Sequence, residues 1–100
     1  MILHDIVFPA QAIAELCRTH RVVRLSLFGS ILTDRFGPSS DIDMLVSFDP
    51  AASLSLLDVA AVQGALTELV GRQVHLTDAD TVPPAVLGRL SREAQVQYAA

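Results

Sequence analysis

The chain is short, acidic and rich in apolar residues. Its 100 residues include 7 basic residues, all arginine, against 11 carboxylates, for a formal net charge of −4, and 51% of them are apolar. This composition is typical of one compact domain and excludes a disordered segment. It also disfavours a sequence-independent nucleic-acid binder, which needs several basic residues on one face. A nucleotide remains compatible with it, because metal ions can neutralise phosphate.

Cysteine content and hydropathy indicate the cellular compartment in which we expect the protein. The single cysteine, Cys17, excludes a disulfide within the chain, and no set of Cys and His residues indicates a zinc site. The apolar runs are far shorter than the ~20 residues that a membrane span requires. Residues 1–8 lack the pattern of a signal peptide. We therefore expect a cytoplasmic protein without a membrane partner, folded as a single domain over residues 1–100.

The hydrophobic pattern predicts helices that alternate with strands. The expected order is a helix over residues 9–20, a strand over 22–28, one or two helical turns over 31–36, a strand over 41–48, a helix over 55–70, a strand over 73–77 and a last helix that begins at Pro83-Pro84. Ser55 and Asp58 resemble a capping box at the start of the longest helix. Strands separated by helices favour an α/β (α+β) fold, a small mixed sheet packed with helices.

Two carboxylates stand two residues apart on the second predicted strand. Asp41 and Asp43 therefore share one face, with Cα atoms roughly 6–7 Å apart, and we expect them side by side at the edge of the sheet, facing solvent. Two buried, unpaired carboxylates would be costly, so they need water, an arginine or a cation. Mg²⁺ suits them because it prefers oxygen ligands and accepts phosphate oxygens. Two such ions about 3.5–4 Å apart would serve both ends of a phosphoryl-type displacement.

A glycine and a serine directly follow the first predicted strand. Gly29 lets a phosphate approach the backbone closely, and the Ser30 hydroxyl with the next N–H groups forms an anion site. Arg35 is the one cation between Ser30 and Asp41; it either contacts the phosphates or pairs with Asp34 at the surface. Each short motif alone is compatible with an ordinary turn or a solvated strand end, whereas the two in this order are more specific.

The order of these motifs points to a family. Residues 27–48, with Gly-Ser, ten residues, Asp-x-Asp and then Met-Leu-Val, closely resemble the polymerase-β-type nucleotidyltransferases, and most of all their minimal branch. Residues 69–76 are similar to the family's third strand, and residues 89–98 to its closing helix. The resemblance covers nearly the whole chain and implies a polymerase-β-like nucleotidyltransferase core.

The resemblance also implies a reaction and a partner. The family transfers NMP from an NTP to a hydroxyl, with two Mg²⁺ ions held by Asp41 and Asp43 and the triphosphate held by Gly29 and Ser30. The minimal branch typically pairs with a HEPN-family protein, as antitoxin and RNase toxin, and is thought to add AMP to a tyrosine of that partner. The implied substrates are thus ATP and a HEPN-type toxin; a homo-oligomer is left open.

One position departs from the family pattern. The family usually has a third carboxylate on the strand after the long helix, where this chain has His75 between Val74 and Leu76. A neutral imidazole can accept a proton, so His75 is a candidate catalytic base, although it is a poorer ligand for Mg²⁺. The alternative is that His75 is only a polar strand residue. Asp78 would point to the opposite face of a regular strand.

Three functions are compatible with these residues. The intact set of Gly29, Ser30, Asp41 and Asp43 favours a Mg²⁺-dependent enzyme that transfers AMP to a protein hydroxyl, and this is our expectation. His75 and the scarcity of cations near the Gly-Ser turn favour a catalytically weakened antitoxin that neutralises its toxin by direct binding. Transfer to a small molecule such as an antibiotic is disfavoured, because 100 residues provide no second domain to hold the acceptor.

Overall fold

The computed structural model describes all 100 residues, which form three α-helices, six β-strands and two short 3₁₀ helices. In chain order the elements are β1 (Ile2–Leu3), β2 (Ile6–Val7), α1 (Ala10–Thr19), β3 (Val22–Phe28), a 3₁₀ helix (Gly29–Leu32), β4 (Ile42–Phe48), α2 (Leu56–Val70), β5 (Val74–Asp78), a 3₁₀ helix (Ala79–Thr81), α3 (Pro84–Glu93) and β6 (Gln95–Ala99). None of the helices has the length and apolar character that a membrane crossing requires.

The main sheet is mixed and has four strands in the order β5-β4-β3-β6. β3 pairs antiparallel with β4 and with β6, whereas β4 pairs parallel with β5. A parallel pair needs a long crossover, which α2 provides. β1 and β2 form a separate two-stranded hairpin. The predicted α+β fold with a small mixed sheet is confirmed.

The core lies between the sheet and helices α1 and α2. Strand alternation places Ile42, Met44 and Val46 of β4 on one face, and all three are fully buried. They join residues of both helices and of the neighbouring strands in one hydrophobic cluster, including Ile13, Cys17, Leu25, Leu27, Val62, Leu66, Val74 and Leu76. The other face of β4 therefore carries Asp43, and the core side fixes which way that carboxylate points.

Local capping sets the bounds of α2. The Ser55 N–H donates to Asp58 Oδ2 at 2.7 Å, and the Ser55 side chain caps the Asp58 backbone in return, so the predicted capping box is present. The helix ends at Gly71, whose φ of 73° is in the left-handed region that glycine adopts without strain. The end of α2 thus directs residues 72 and 73 into β5.

The last predicted helix is wrong in its second half. We expected a helix that reached Tyr98, but α3 ends at Glu93, and Gln95–Ala99 form β6 along β3. Ala94 has an extended backbone, with ψ of 148°. The segment after it alternates polar and apolar residues, which suits a strand, and β3 offers it an unpaired edge. The resemblance of residues 89–98 to a closing helix therefore covers only the end of α3.

Two further segments differ from the sequence-based expectation. The helical turns expected over residues 31–36 are replaced by the 3₁₀ helix at Gly29–Leu32, because Thr33 is extended and its hydroxyl donates to the Ser30 carbonyl at 2.9 Å. The β1–β2 hairpin was not predicted. Its turn places His4 and Asp5 at positive φ of 50° and 63°, a conformation for which glycine and asparagine are the usual signals.

The buried cysteine provides a test of the packing of α1. Cys17 is fully buried, as expected for a small apolar residue, and burial raises the pKa of its thiol from 9.0 to about 11, although the neighbouring Arg18 lowers it in part. Because only the thiolate reacts, we expect alkylation at about pH 8 to be roughly a hundredfold slower in the native protein than in urea. Stopped-flow labelling measures both rates, and similar rates would contradict this packing.

Candidate active site

Three neighbouring strands align Phe28, Asp43 and His75 in one row. Phe28 of β3 is the register partner of Asp43, and Asp43 is in turn the register partner of His75 in the parallel strand β5. Register partners project from the same face of a sheet. His75 Nδ1 lies 3.6 Å from Asp43 Oδ1, and the two side chains are 66% and 32% exposed. The imidazole therefore lies beside a candidate carboxylate, on the face of the sheet opposite the buried residues of β4.

The two predicted carboxylates lie at the start of β4. Asp41 precedes the strand and is exposed, and Asp43 is its second residue and is partly exposed. Both face solvent, as the spacing predicted. They are at the end of an inner strand, however, and not at an edge of the sheet, because β3 and β5 flank β4 on either side.

Gly29 brings the predicted phosphate-binding turn against Asp43. Its φ is +77°, and a Cβ at this position would lie 2.7 Å from Asp43 Oδ2. Real Cβ atoms essentially never approach so closely, so any other residue here would displace the carboxylate and would also be strained by the positive φ. The end of β3 and the start of β4 are adjacent because the two strands are antiparallel. Gly29 of one motif thus lies against Asp43 of the other.

An open cleft of about 650 Å³ borders this turn. It is lined by Gly29, Ser30, Leu32, Thr33, Arg35 and Glu93, so the three predicted nucleotide-binding residues share one cleft. The alternative surface pair of Arg35 with Asp34 does not form, because the one contact within 4.0 Å between a basic side chain and a carboxylate is that of His75 with Asp43. Thr33 and Glu93 belong to neither motif of the sequence. Glu93 reaches the cleft only because α3 ends there, for which the sequence gives no local signal.

The carboxylate oxygens at this site suit a cation that also takes ligands from a bound substrate. Asp41 and Asp43 are oxygen ligands of the kind Mg²⁺ prefers, and Mg²⁺ commonly binds to one or two carboxylates plus phosphates. No three His, Cys, Asp or Glu side chains gather to hold a metal ion by themselves. Asp78 does not supply the missing carboxylate, because it aligns with Val46 and accepts a hydrogen bond from the Asp80 N–H at 3.0 Å. Any cation here would need ligands from phosphate and water.

Comparison with known proteins identifies the family. The nucleotidyltransferase domain model matches residues 10–96, and the chain belongs to this family. A candidate protein adenylyltransferase of Methanocaldococcus jannaschii is 35% identical over 75 residues, which are 75% of this chain and 78% of the relative. A solved structure described as a minimal nucleotidyltransferase matches with a TM-score of 0.73 at 33% identity, over 85% of both chains. The chain is thus a nucleotidyltransferase of the minimal type.

A more distant structure shares the fold. It is the complex of a tri-AMPylated HEPN toxin of Shewanella oneidensis with its MNT antitoxin, of which one chain matches with a TM-score of 0.64 at 19% identity. The match covers 91% of this chain and 70% of the other. At this identity the likeness concerns the fold, which confirms the nucleotidyltransferase core that the sequence resemblance implied.

Replacement of Gly29 tests the contact between the turn and Asp43. We expect Gly29→Ala to destabilise the protein by about 1–3 kcal/mol, because alanine at positive φ is strained and its Cβ would displace the carboxylate. Gly64→Ala is the matched control: Gly64 lies inside α2 with nothing within 4 Å of its added Cβ, so it should gain about 0.5–1 kcal/mol. Urea unfolding measures both. Equal stability of Gly29→Ala and wild type would contradict the close approach.

Proposed function

We propose that this nucleotidyltransferase is an antitoxin that transfers AMP from ATP to a tyrosine hydroxyl of a HEPN-type toxin, with Mg²⁺. The observation that carries the proposal is the packing of Gly29 against Asp43, which brings a turn suited to phosphate against a carboxylate suited to a cation. The relative from M. jannaschii is described as an adenylyltransferase, and the Shewanella complex contains an AMPylated HEPN toxin with its antitoxin. These descriptions support the choice of AMP and of the partner.

The Gly-Ser turn and Arg35 would bind the triphosphate. Gly29 leaves the backbone open to the phosphates, and Ser30 offers a hydroxyl in the same cleft. The Arg35 guanidinium, free of a carboxylate partner, can balance phosphate charge. Mg²⁺, when bound at Asp41 and Asp43, would neutralise charge that develops on the phosphates. ATP and the cation should therefore bind together.

His75 would accept the proton of the attacking hydroxyl. It is largely exposed, so a tyrosine of a partner can reach it, and its Nδ1 faces Asp43. An Nδ1–H directed at this carboxylate leaves Nε2 free as the acceptor. As the hydroxyl loses its proton to Nε2, its oxygen bonds to the α-phosphorus and the bond to the β-phosphate oxygen breaks. Pyrophosphate leaves, and AMP stays on the acceptor.

The carboxylates are tested by nucleotide binding. We expect Asp41→Asn with Asp43→Asn to weaken ATP binding in Mg²⁺ by at least about tenfold, because the cation and the phosphates share one ligand shell. Without Mg²⁺, wild type and variant should bind ATP equally weakly. Asp80→Asn, an exposed carboxylate outside the site, is the control. Calorimetry that gives equal affinities in Mg²⁺ would place the nucleotide elsewhere.

His75 is tested by transfer of labelled AMP to a purified HEPN-type partner. If it is the base, His75→Ala should lower the transfer rate by about 10²–10⁴-fold while calorimetric binding of ATP in Mg²⁺ is retained. Full activity of His75→Ala would refute the base role. An increase of activity in His75→Asp above wild type would instead show that a third oxygen ligand was missing.

One observation favours a second candidate, an antitoxin that acts by direct binding alone. No three metal-ligating side chains are gathered at the site, and His75 replaces the usual third carboxylate. In that case the Asp41/Asp43 double variant should still neutralise the toxin in cells, and wild type should transfer no AMP. Loss of neutralisation in the double variant, with the purified complex still formed, would support the enzyme.

A further inference from the structure

The segment that joins the Gly-Ser turn to Asp41 has almost no regular structure of its own. Residues 33–41 run from the 3₁₀ helix to β4, and they include Gly37, Pro38 and two serines. These residues favour turns, and they do not by themselves fix where the loop lies against the rest of the fold. Asp41, a candidate cation ligand, is the last residue of this loop, so its position depends on what anchors the loop.

Arg72 anchors the end of the loop next to Asp41. Its Nη2 donates to the Gly37 carbonyl, which also accepts from the Ser40 N–H at 3.0 Å. The Gly37 N–H in turn donates to Ser40 Oγ at 3.0 Å. The turn at residues 37–40 is thus closed in both directions, and one guanidinium attaches it to the connection between α2 and β5.

The residue after Arg72 fixes the other side of Asp41. The Ile42 N–H donates to the Gln73 carbonyl at 2.9 Å, ahead of the register pair that Ile42 forms with Val74. Arg72 therefore holds the turn that precedes Asp41, and Gln73 holds the residue that follows it, through one hydrogen bond each. Asp41 itself remains exposed and free to bind a ligand.

A stack of three side chains extends this anchor to the Gly-Ser turn. The Arg72 guanidinium carbon lies 4.7 Å from the centre of the Phe36 ring, and the His4 ring lies 4.8 Å from the same ring. His4 Nε2 is 3.0 Å from the carbonyl of Ile31, within the 3₁₀ helix. Phe36 is 9% exposed. The N-terminal hairpin, the turn and the loop are thereby joined.

From these contacts we infer that Arg72 is a positioning residue for Asp41. The inference rests on the proposed function of the site, since it concerns the geometry of that function's cation ligand. A guanidinium can stack on Phe36 and donate to Gly37 at the same time, whereas the compact ammonium of lysine cannot reproduce both contacts. Arg72→Lys therefore keeps the charge and removes the anchor.

The first test needs no ligand. In Arg72→Lys we expect the amides of Ser40 and Ile42 to exchange with deuterium at least about tenfold faster than in wild type, because the turn opens locally. Amides in the middle of α2 should keep their wild-type rates. Arg89→Lys, the same exchange at an exposed arginine of α3, is the matched control. Unchanged exchange at Ser40 and Ile42 in Arg72→Lys would overturn the inference.

The second test measures how AMP transfer depends on the Mg²⁺ concentration. At saturating ATP, the Mg²⁺ concentration for half-maximal AMP transfer should rise about tenfold in Arg72→Lys, because a mobile Asp41 binds the ion less well. Phe36→Leu, which keeps an apolar side chain at this position, should also raise the half-maximal Mg²⁺ concentration, but by less. A change in thermal stability with wild-type Mg²⁺ dependence would mean a structural role alone and would overturn the inference.

The outcomes also separate this inference from the proposed function. If wild type transfers no AMP, the proposed function fails, and calorimetry of Mg²⁺ with ATP on wild type and Arg72→Lys then decides the inference. Equal affinities there would reject it. If wild type is active and Arg72→Lys has wild-type exchange and Mg²⁺ dependence, the inference fails and the proposed function stands.

Discussion

The site depends on one close contact, that of the Gly29 backbone with the carboxylate of Asp43. The antiparallel pairing of β3 with β4 brings the end of one strand to the start of the other, and the register places Phe28 opposite Asp43. The chain then turns at Gly29 with a positive φ, directly against Asp43 Oδ2. A phosphate on this turn would therefore lie beside the carboxylate that shares its cation, without any movement of the backbone.

The other elements of the fold place His75 beside Asp43 and determine which face of the sheet the two residues occupy. α2, which begins at the capping box, forms the crossover that makes β5 parallel to β4. The parallel register then places His75 beside Asp43, on the side of β4 away from β3. The buried faces of β4 and β5 pack on α1 and α2, so the hydrophobic core determines that Asp43 and His75 share the opposite face. The register thus places the imidazole of His75 beside Asp43.

The features that the sequence predicted are those with local signals. The strand over residues 22–28, the helix over 55–70 and its capping box follow from periodicity and from cap chemistry, and the Gly-Ser and Asp-x-Asp motifs led to the residues of the site. β6 was missed because its strand character depends on the free edge of β3. The anchor of Arg72 on Gly37 and Phe36 joins residues far apart in sequence, and no local pattern predicts it.

The central claim, that a cation and ATP bind together between the Gly-Ser turn and the two aspartates, is tested most directly by paramagnetic broadening. Mn²⁺, added in small amounts with ATP to the isotope-labelled protein, should broaden the backbone amide signals of residues 29–32 and 41–43 first. The signal of His75 should follow, since its side chain is 3.6 Å from Asp43. Broadening centred on Asp78 and Asp80 instead, or broadening that is the same with and without ATP, would contradict the account.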